Sequence, residues 1–309
     1  MAAFHEAIII GGGPAGLTAG LYLKRAGIDT LLLEKAILGG AVINTWQIEN
    51  YPGFPEGISG RDLIEKFSAH AKAFGLKIKE FTNVENISLK DEVFAVKADE
   101  FNYEAKGIII ATGTQPIKLG IPGEDKFVGR GISFCATCDG MFFKDLDVAV
   151  IGGGDAAIEE GLSLANIVRK VYVVHRRDTL RAQKILQERA FKHPKIEILF
   201  NKRPIEFKGK DAMEYIVLED TKDNTKSELK VDGVFIYAGS RPDVAFLGDL
   251  VDRDKDGFII TDENLATKTR GLFAAGDVRK KRLRQVSTAV GDGALAAYEL
   301  ERYLLEIRQ

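Results

Sequence analysis

The sequence predicts an α/β chain built on two Rossmann-like units, one domain inserted into the other. Three observations carry this reading. From Ala7 a short apolar run, a glycine turn, a helical stretch and a second apolar run follow one another. The same order recurs from Val148. After Pro242 no third glycine turn of this kind appears, so the C-terminal stretch is left to complete the first domain. The length agrees: 309 residues at roughly 150 per domain make two domains.

The elements read in order as follows. Ala7–Ile10 is a buried strand, and Gly11-Gly12-Gly13-Pro14-Ala15-Gly16 is the turn. Leu17 to Ala26 is helical, Gly27 stops it, and Thr30–Leu33 is a strand ending in Glu34. In the second copy Val148–Ile151 is the strand and Gly152-Gly153-Gly154-Asp155-Ala156-Ala157 the turn. Ile158 to Ile167 is helical, and Val171–Val174 runs into His175. Gly11 to Glu34 and Gly152 to His175 are both 23 positions, and the copies lie 141 residues apart. Gly107–Gly113 and Gly233–Gly239 are matching apolar strands that end in small-residue turns. Gln115-Pro116 and Arg241-Pro242 follow them as domain crossings. Gly271–Asp277 is one more short strand and turn, and Thr288 to Ile307 has helical spacing.

Composition excludes several classes. Apolar residues make up 45% and charged residues 28%, which describes a globular chain rather than a disordered one. A net charge of −2 gives no field toward nucleic acid or an anionic membrane. No apolar run approaches the ~18 residues of a membrane span, and the first run lacks the flank and length of a signal peptide. The 2 cysteines, Cys135 and Cys138, cannot build a disulfide framework for a chain of this size. They also cannot complete a zinc site. Structural zinc takes four ligands, and His5, His70, His175 and His193 show no ligand spacing. No metal is expected, and the pair reads as a redox couple in a cytoplasmic protein.

Each glycine turn follows a strand, opens a helix and precedes a further strand, the context a dinucleotide fingerprint requires. Gly11 makes the tight turn, Gly13 lets a pyrophosphate approach the backbone, and Gly16 lets helix pack on strand. Gly152, Gly154 and Ala157 take those places in the second copy. The helix N-termini offer free N–H groups to phosphate. The copies differ where specificity is set. Glu34 accepts from ribose hydroxyls and repels a 2′-phosphate, so the first site suits FAD or NAD. His175-Arg176-Arg177, with Arg181 beyond, carries no acid and three guanidiniums, so the second suits NADPH.

Cys135-Ala136-Thr137-Cys138-Asp139 lies just before the second fingerprint. A C-x-x-C pair closes a reversible disulfide and lowers one thiol pKa, and Asp139 offers a proton donor and acceptor beside it.

Over essentially its full length the chain resembles the low-molecular-weight, prokaryotic-type thioredoxin reductases. The matching motifs are Gly11-x-Gly13-Pro14-Ala15-Gly16, Ile48-Glu49-Asn50-Tyr51-Pro52-Gly53, Ala111-Thr112-Gly113, Cys135-Ala136-Thr137-Cys138-Asp139-Gly140, Gly152-Gly153-Gly154-Asp155, His175-Arg176-Arg177 with Arg181-Ala182, Ala274-Ala275-Gly276-Asp277-Val278 and Arg284-Gln285. The resemblance implies an FAD domain (1–116 and 244–309) interrupted by an NADPH domain (117–243) that carries the C-x-x-C, in a homodimer. It implies that Gly11, Gly13, Pro14, Ala15 and Gly16 contact FAD, with Glu34, Lys35, Gly39, Gly40, Ala41 and Asn50. Thr112, Gly113, Gly276, Asp277, Arg284, Gln285 and Val286 complete that site, Asp277 holding the ribityl chain. NADPH falls to Gly152, Gly154, Asp155, Ala156, His175, Arg176, Arg177 and Arg181. Cys138 then faces the flavin, Cys135 attacks the disulfide of thioredoxin or a thioredoxin-like protein, and Asp139 moves protons. The two domains must rotate for the disulfide to meet flavin and partner in turn.

Two features depart from the family. Ala41 stands where the family has Gln, which removes one polar flavin contact. Arg279-Lys280-Lys281-Arg282 is more basic than usual and reads as a solvated loop. Three other readings stay open: a reductase of a glutaredoxin-like carrier, a relative fed by reduced ferredoxin, and a flavoprotein that only senses redox state. The intact second fingerprint and its arginines argue against the ferredoxin-fed relative.

Overall fold

The computed structural model describes residues 2–308. The chain divides into two compact units, Met1–Gln115 with Arg241–Gln309, and Pro116–Ser240.

In the first unit β1 (Ala3–Ile10), α1 (Pro14–Arg25) and β2 (Thr30–Leu33) form the βαβ motif. After it come α2 (Gly60–Ala73), β3 (Lys77–Lys79), β4 (Val84–Lys90), β5 (Val93–Ala98) and β6 (Phe101–Ile110). The sheet runs β3-β2-β1-β6-β5-β4. β1 is parallel to β2 and β6, with Ile10 opposite Leu33 and Ile110. β4, β5 and β6 form an antiparallel meander. Successive residues of a strand point to opposite faces, and both faces of this sheet are covered. Ala7, Ile9 and Leu32 therefore feed one core, and Ile8, Ile10, Leu31 and Leu33 the other. This is why the strands read as continuous apolar runs.

α1 begins at Pro14, three residues before the start its apolar spacing suggests. Proline has no N–H to lose at a helix start and its φ is already helical. Gly16 sits in this first turn, where a Cβ would overlap the Gly11 carbonyl.

The short strand β7 (Gln115–Pro116) crosses into the second unit, which continues with α3 (Glu124–Phe127), β8 (Ile132–Ser133) and α4 (Ala136–Asp139). Its βαβ motif is β9 (Asp147–Ile151), α5 (Asp155–Ala165) and β10 (Lys170–His175), followed by α6 (Lys184–Lys192) and β11 (Ile196–Phe200). A three-stranded antiparallel sheet, β12 (Lys202–Lys208), β13 (Tyr215–Asp220) and β14 (Lys226–Lys230), precedes β15 (Gly233–Ile236) and β16 (Ser240–Arg241). The main sheet runs β11-β10-β9-β15-β8, with every neighbouring pair parallel. Val148, Val150 and Val173 face one core, Ala149, Ile151 and Val174 the other.

The chain then returns to the first unit. β17 (Leu272–Ala274) pairs in parallel with β6, and α7 (Val286–Glu306) packs on α1. The α1–α7 contact is close because Gly293 faces the Ala15 carbonyl, where a Cβ would overlap it.

Candidate functional site

In the first unit β1, β6 and β17 end at the same sheet edge. Ala111 N donates to Ile10 O at 2.7 Å and Ala275 N to Ile110 O at 2.9 Å. Gly11, Thr112 and Asp277, far apart in sequence, thus meet beyond the carboxyl ends of neighbouring parallel strands, where open α/β sheets bind ligands. A cavity of about 310 Å³ opens there, lined among others by Gly11, Glu34, Lys35, Thr82, Glu85 and Thr112.

The three fingerprint glycines differ as their roles require. Gly11 has φ +108° and no room for a Cβ against Ala111, and Gly16 has none against Gly11. Gly13 faces open space, the nearest atom to a Cβ there being Gly39 O at 3.9 Å. A phosphate needs that open face. Glu34 closes the turn: Oε2 accepts Gly12 N–H at 2.6 Å and Oε1 accepts Ala36 N–H at 2.9 Å. Pro14 and Ala15 are buried in the first turn of α1, and Lys35 is exposed beside Glu34. Gly39 donates its N–H to Gly12 O at 2.9 Å, so the segment through Gly40 and Ala41 lies against the turn, with Ala41 exposed.

Around Asp277 the side chains form a charged cluster. Asp292, on α7, accepts Gly276 N–H at 3.0 Å, Arg279 Nε at 2.9 Å and Lys281 Nζ at 3.1 Å on Oδ2, and Arg279 Nη2 at 3.0 Å on Oδ1. Burial alone would raise the Asp292 carboxyl, but Arg279 and Lys281 hold it below the ordinary carboxylate range. Burial pushes Asp277 above its ordinary value against the pull of Lys281. This corrects the solvated-loop reading for half of the basic stretch. Lys281 is only 8% exposed and both it and Arg279 pair with Asp292, while Lys280 and Arg282 are exposed. Asn50 Nδ2 donates to Gln285 Oε1 at 3.1 Å, and Gln285 caps α7 just ahead of Val286.

A flavin dinucleotide fits this edge on three observations. Thr112 Oγ1, Asp277 Oδ1 and Arg284 Nε are buried polar atoms that make no hydrogen bond, although Lys281 Nζ lies 3.4 Å from Asp277 Oδ1 as an ion pair. Orphaned buried polar atoms are rare in finished folds. An acceptor, a donor and a hydroxyl left open beside a glycine turn match the hydroxyls and ring edges of such a cofactor. Gly113 follows Thr112 with φ +62° and carries the chain away from the edge.

The second unit repeats the geometry. A Cβ at Gly152 would meet Ala157 Cβ at 2.7 Å and Tyr237 O at 2.8 Å, whereas Gly154 faces open space. Asp155, the first residue of α5 and next to exposed Ala156, accepts Gln183 N–H at 2.7 Å and Gln183 Nε2 at 3.1 Å. Arg181 N donates to Gly153 O at 2.7 Å. The segment bearing Arg181 is thereby folded onto the turn. Arg176, Arg177 and Arg181 are exposed, and no carboxylate pairs with them among the described residues. His175 turns inward instead. It is buried, its Nε2 lies 3.0 Å from Thr179 O, and its ring fills the space a Cβ at Gly153 would need. Burial, aided by Arg181 and Arg177, holds the imidazole below its ordinary pKa, so it supports the turn as a neutral ring.

β8 delivers the cysteines to the carboxyl edge of this same sheet. Cys135 and Cys138 form a disulfide across α4, Cα to Cα 5.4 Å. Cys138 N–H points at Cys135 Sγ at 3.1 Å, a donor that would stabilise a thiolate on Cys135. Asp139 Oδ2 accepts from Ser133 Oγ at 2.6 Å. Directly after this helix Met141 and Phe142 are 64% and 79% exposed, an apolar pair beside the disulfide. Sequence reasoning missed this pair and Ser133, Tyr237 and Asp292. Met141 and Phe142 could have been found as adjacent large apolar residues with no helical or strand periodicity. The others carry no spacing signal.

Residues 5–293 match the family model of pyridine nucleotide-disulphide oxidoreductases. The chain is 45% identical to a thioredoxin reductase of Listeria innocua over 306 residues, 99% of this chain and 95% of that one. It is 44% identical to a thioredoxin reductase of Bacillus subtilis, over 99% and 96% of the two chains. Its fold is similar to the crystal structure of Lactococcus lactis thioredoxin reductase, with a TM-score of 0.95 and 43% identity over 98% and 99% of the chains. A parallel-sheet unit with unpartnered buried polar atoms at its edge, a second with an arginine-rimmed glycine turn, and one redox disulfide thus sit on a chain that these proteins match over nearly its full length. The chain belongs to the pyridine nucleotide-disulphide oxidoreductases and, within them, to the low-molecular-weight thioredoxin reductases.

Proposed function

We propose that this chain reduces the disulfide of thioredoxin or a thioredoxin-like protein, taking electrons from NADPH through FAD and the Cys135–Cys138 disulfide. The observation that carries the reading is the reversible disulfide in α4, with Asp139 beside it and an arginine-rimmed dinucleotide turn on the same sheet edge. When bound, FAD supplies the relay between a two-electron hydride donor and thiol chemistry. Gly13, Glu34, Thr112, Asp277, Arg284 and Gln285 would hold it in the first unit. Gly154, Arg176, Arg177 and Arg181 would hold NADPH in the second, the guanidiniums taking the 2′-phosphate.

In the reduced state Cys135 carries the reactive thiolate, helped by Cys138 N–H. It attacks the partner's disulfide. The partner's S–S bond breaks, a Cys135–partner bond forms, and the released thiolate takes a proton from Asp139. Cys138 then gives its proton to the Asp139 carboxylate and attacks Cys135 Sγ. The mixed disulfide breaks, the second partner thiolate takes that proton from Asp139, and the partner leaves with two thiols. Two electrons have passed, and the Cys135–Cys138 bond is restored. Met141 and Phe142 give the partner an apolar surface beside the attacking sulfur. In this reading the protein is a cytoplasmic homodimer without nucleic-acid or membrane partners. No helix among the described residues is long and apolar enough to cross a membrane.

Steady-state kinetics of the holoprotein test the cofactor choice. Replacing Arg176 and Arg181 together by Gln raises KM for NADPH at least about 10-fold, since each charge-assisted pair contributes roughly 1.5–3 kcal/mol. KM for NADH changes less than about twofold. Equal use of NADH and NADPH by the unmodified protein contradicts the assignment.

A further inference from the structure

Two side chains to which the reading above gives no role in the chemistry hold the redox helix. Ser133, the last residue of β8, is 5% exposed. Its Oγ lies 2.6 Å from Asp139 Oδ2 and 3.0 Å from Cys135 N. A hydroxyl has one proton and two lone pairs. The hydroxyl proton goes to Asp139 Oδ2, the shortest contact, which leaves Oδ1 to carry the acid's own proton, and a lone pair accepts Cys135 N–H. One oxygen therefore ties the backbone of the first cysteine to the acid that follows the second.

Tyr237 does the same for the next residue. Its hydroxyl accepts Ala136 N–H at 3.0 Å. Its own N–H donates to Ile151 O at 2.8 Å, anchoring it at the end of β9 beside Gly152. Burial, with Glu160 and Asp139 near, raises the phenol well above its ordinary pKa, so this acceptor stays a neutral hydroxyl. The N–H groups of Cys135 and Ala136 have no helical partner at the start of α4. Ser133 and Tyr237 satisfy them from the ends of two neighbouring strands of one sheet, Ser133 in β8 and Tyr237 just past β15.

We propose that Ser133 and Tyr237 are positioning residues for the thiol step, fixing the backbone at Cys135 and Ala136 while Ser133 holds the Asp139 carboxyl in one orientation. This rests on the disulfide exchange described above. In that exchange Cys135 forms a bond to the incoming sulfur, the substrate's S–S bond breaks, and the leaving thiolate takes a proton. An acid free to swing delivers that proton less often, and a misplacement of about 1 Å costs up to roughly 100-fold in rate.

The test uses the holoenzyme with its dithiol form prepared with dithiothreitol and freed from it, then reacted in single turnovers with a small dialkyl disulfide, whose leaving thiolate needs a proton. Here kcat and KM are the limiting rate and the half-saturating concentration. That probe reads the thiol step whatever the natural partner is, so failure of the unmodified protein to reduce thioredoxin is distinguishable from failure of this proposal. Ser133→Ala is expected to lower kcat roughly 10- to 100-fold with KM within twofold. Ser133→Thr, which keeps the hydroxyl, should restore the rate to within about threefold. Tyr237→Phe, the milder variant, should lower kcat about 3- to 10-fold, and NADPH should bleach all three variants at the unmodified rate. A Ser133→Ala protein with unchanged kcat overturns the proposal. So does a Ser133→Thr protein as slow as the alanine variant, or a Tyr237→Phe change confined to KM.

Discussion

Serine at either Cys135 or Cys138 is expected to lower reduction of a protein disulfide by about 10⁴-fold or more, the scale of losing a nucleophile. NADPH should still bleach the bound chromophore, because hydride delivery precedes the thiol step. The two variants then part. Cys138→Ser keeps Cys135 with its N–H donor but lacks the resolving thiol, so it should accumulate a mixed disulfide with the partner on a non-reducing gel. Cys135→Ser should accumulate none. A trapped adduct in Cys135→Ser instead reverses the roles of the two sulfurs. Loss of chromophore bleaching in both variants would show that the disulfide supports the second unit's structure as well as its chemistry.

The second large effect lies on α5. Glu160 is half-buried with its Oε2 atom buried and unpartnered, and burial, with Glu159 adding, pushes its carboxyl up to about 8. Unfolding returns it to about 4.5. Between these values the folded protein holds a proton that the unfolded chain has released, so stability falls as pH rises from about 4.5 to about 8. Below that window the group contributes no penalty. Above it the full penalty applies, on the order of 4–5 kcal/mol at 1.36 kcal/mol per pH unit. Glu160→Gln cannot ionise and should remove this slope. Denaturant unfolding from pH 5 to pH 9 checks it. The variant should gain stability over the unmodified protein as pH rises and match it near pH 5. Parallel curves would mean that water or a side chain satisfies the carboxylate.

The βαβ units were legible because their chemistry is local. A turn that must touch phosphate needs Gly13 and Gly154 open and Gly11 and Gly16 crowded, and those demands fall within six residues. β4, β5 and the first half of β6 went unread, as did β12–β14. Strands such as Val84–Lys90 put exposed charged residues between few buried ones, so no apolar run announces them. Helix starts were read late, at Leu17 and Ile158, because Pro14 and Asp155 begin the helices without joining the apolar stripe. Arg279-Lys280-Lys281-Arg282 looked solvated because its acid, Asp292, lies on α7 and only the fold brings it near. His175 fell at the specificity position by count, yet its ring supports Gly153 from within. Ser133 reaches the redox helix from β8 and Tyr237 from just past β15, and Tyr237 lies 101 residues from its partner Ala136, a relation no spacing rule reads.

Anaerobic titration of the purified holoprotein with NADPH, followed by a count of free thiols, tests the central claim most directly. The chain has 2 cysteines, both in the disulfide, so the thiol count reads the relay without interference. NADPH is predicted to raise it from zero to two per chain, and one equivalent of oxidised thioredoxin should return this chain to zero while two thiols appear on thioredoxin, the two proteins being alkylated and separated before counting. A bleached chromophore with the thiol count still at zero, or thiols that appear only with reduced ferredoxin, would contradict the account.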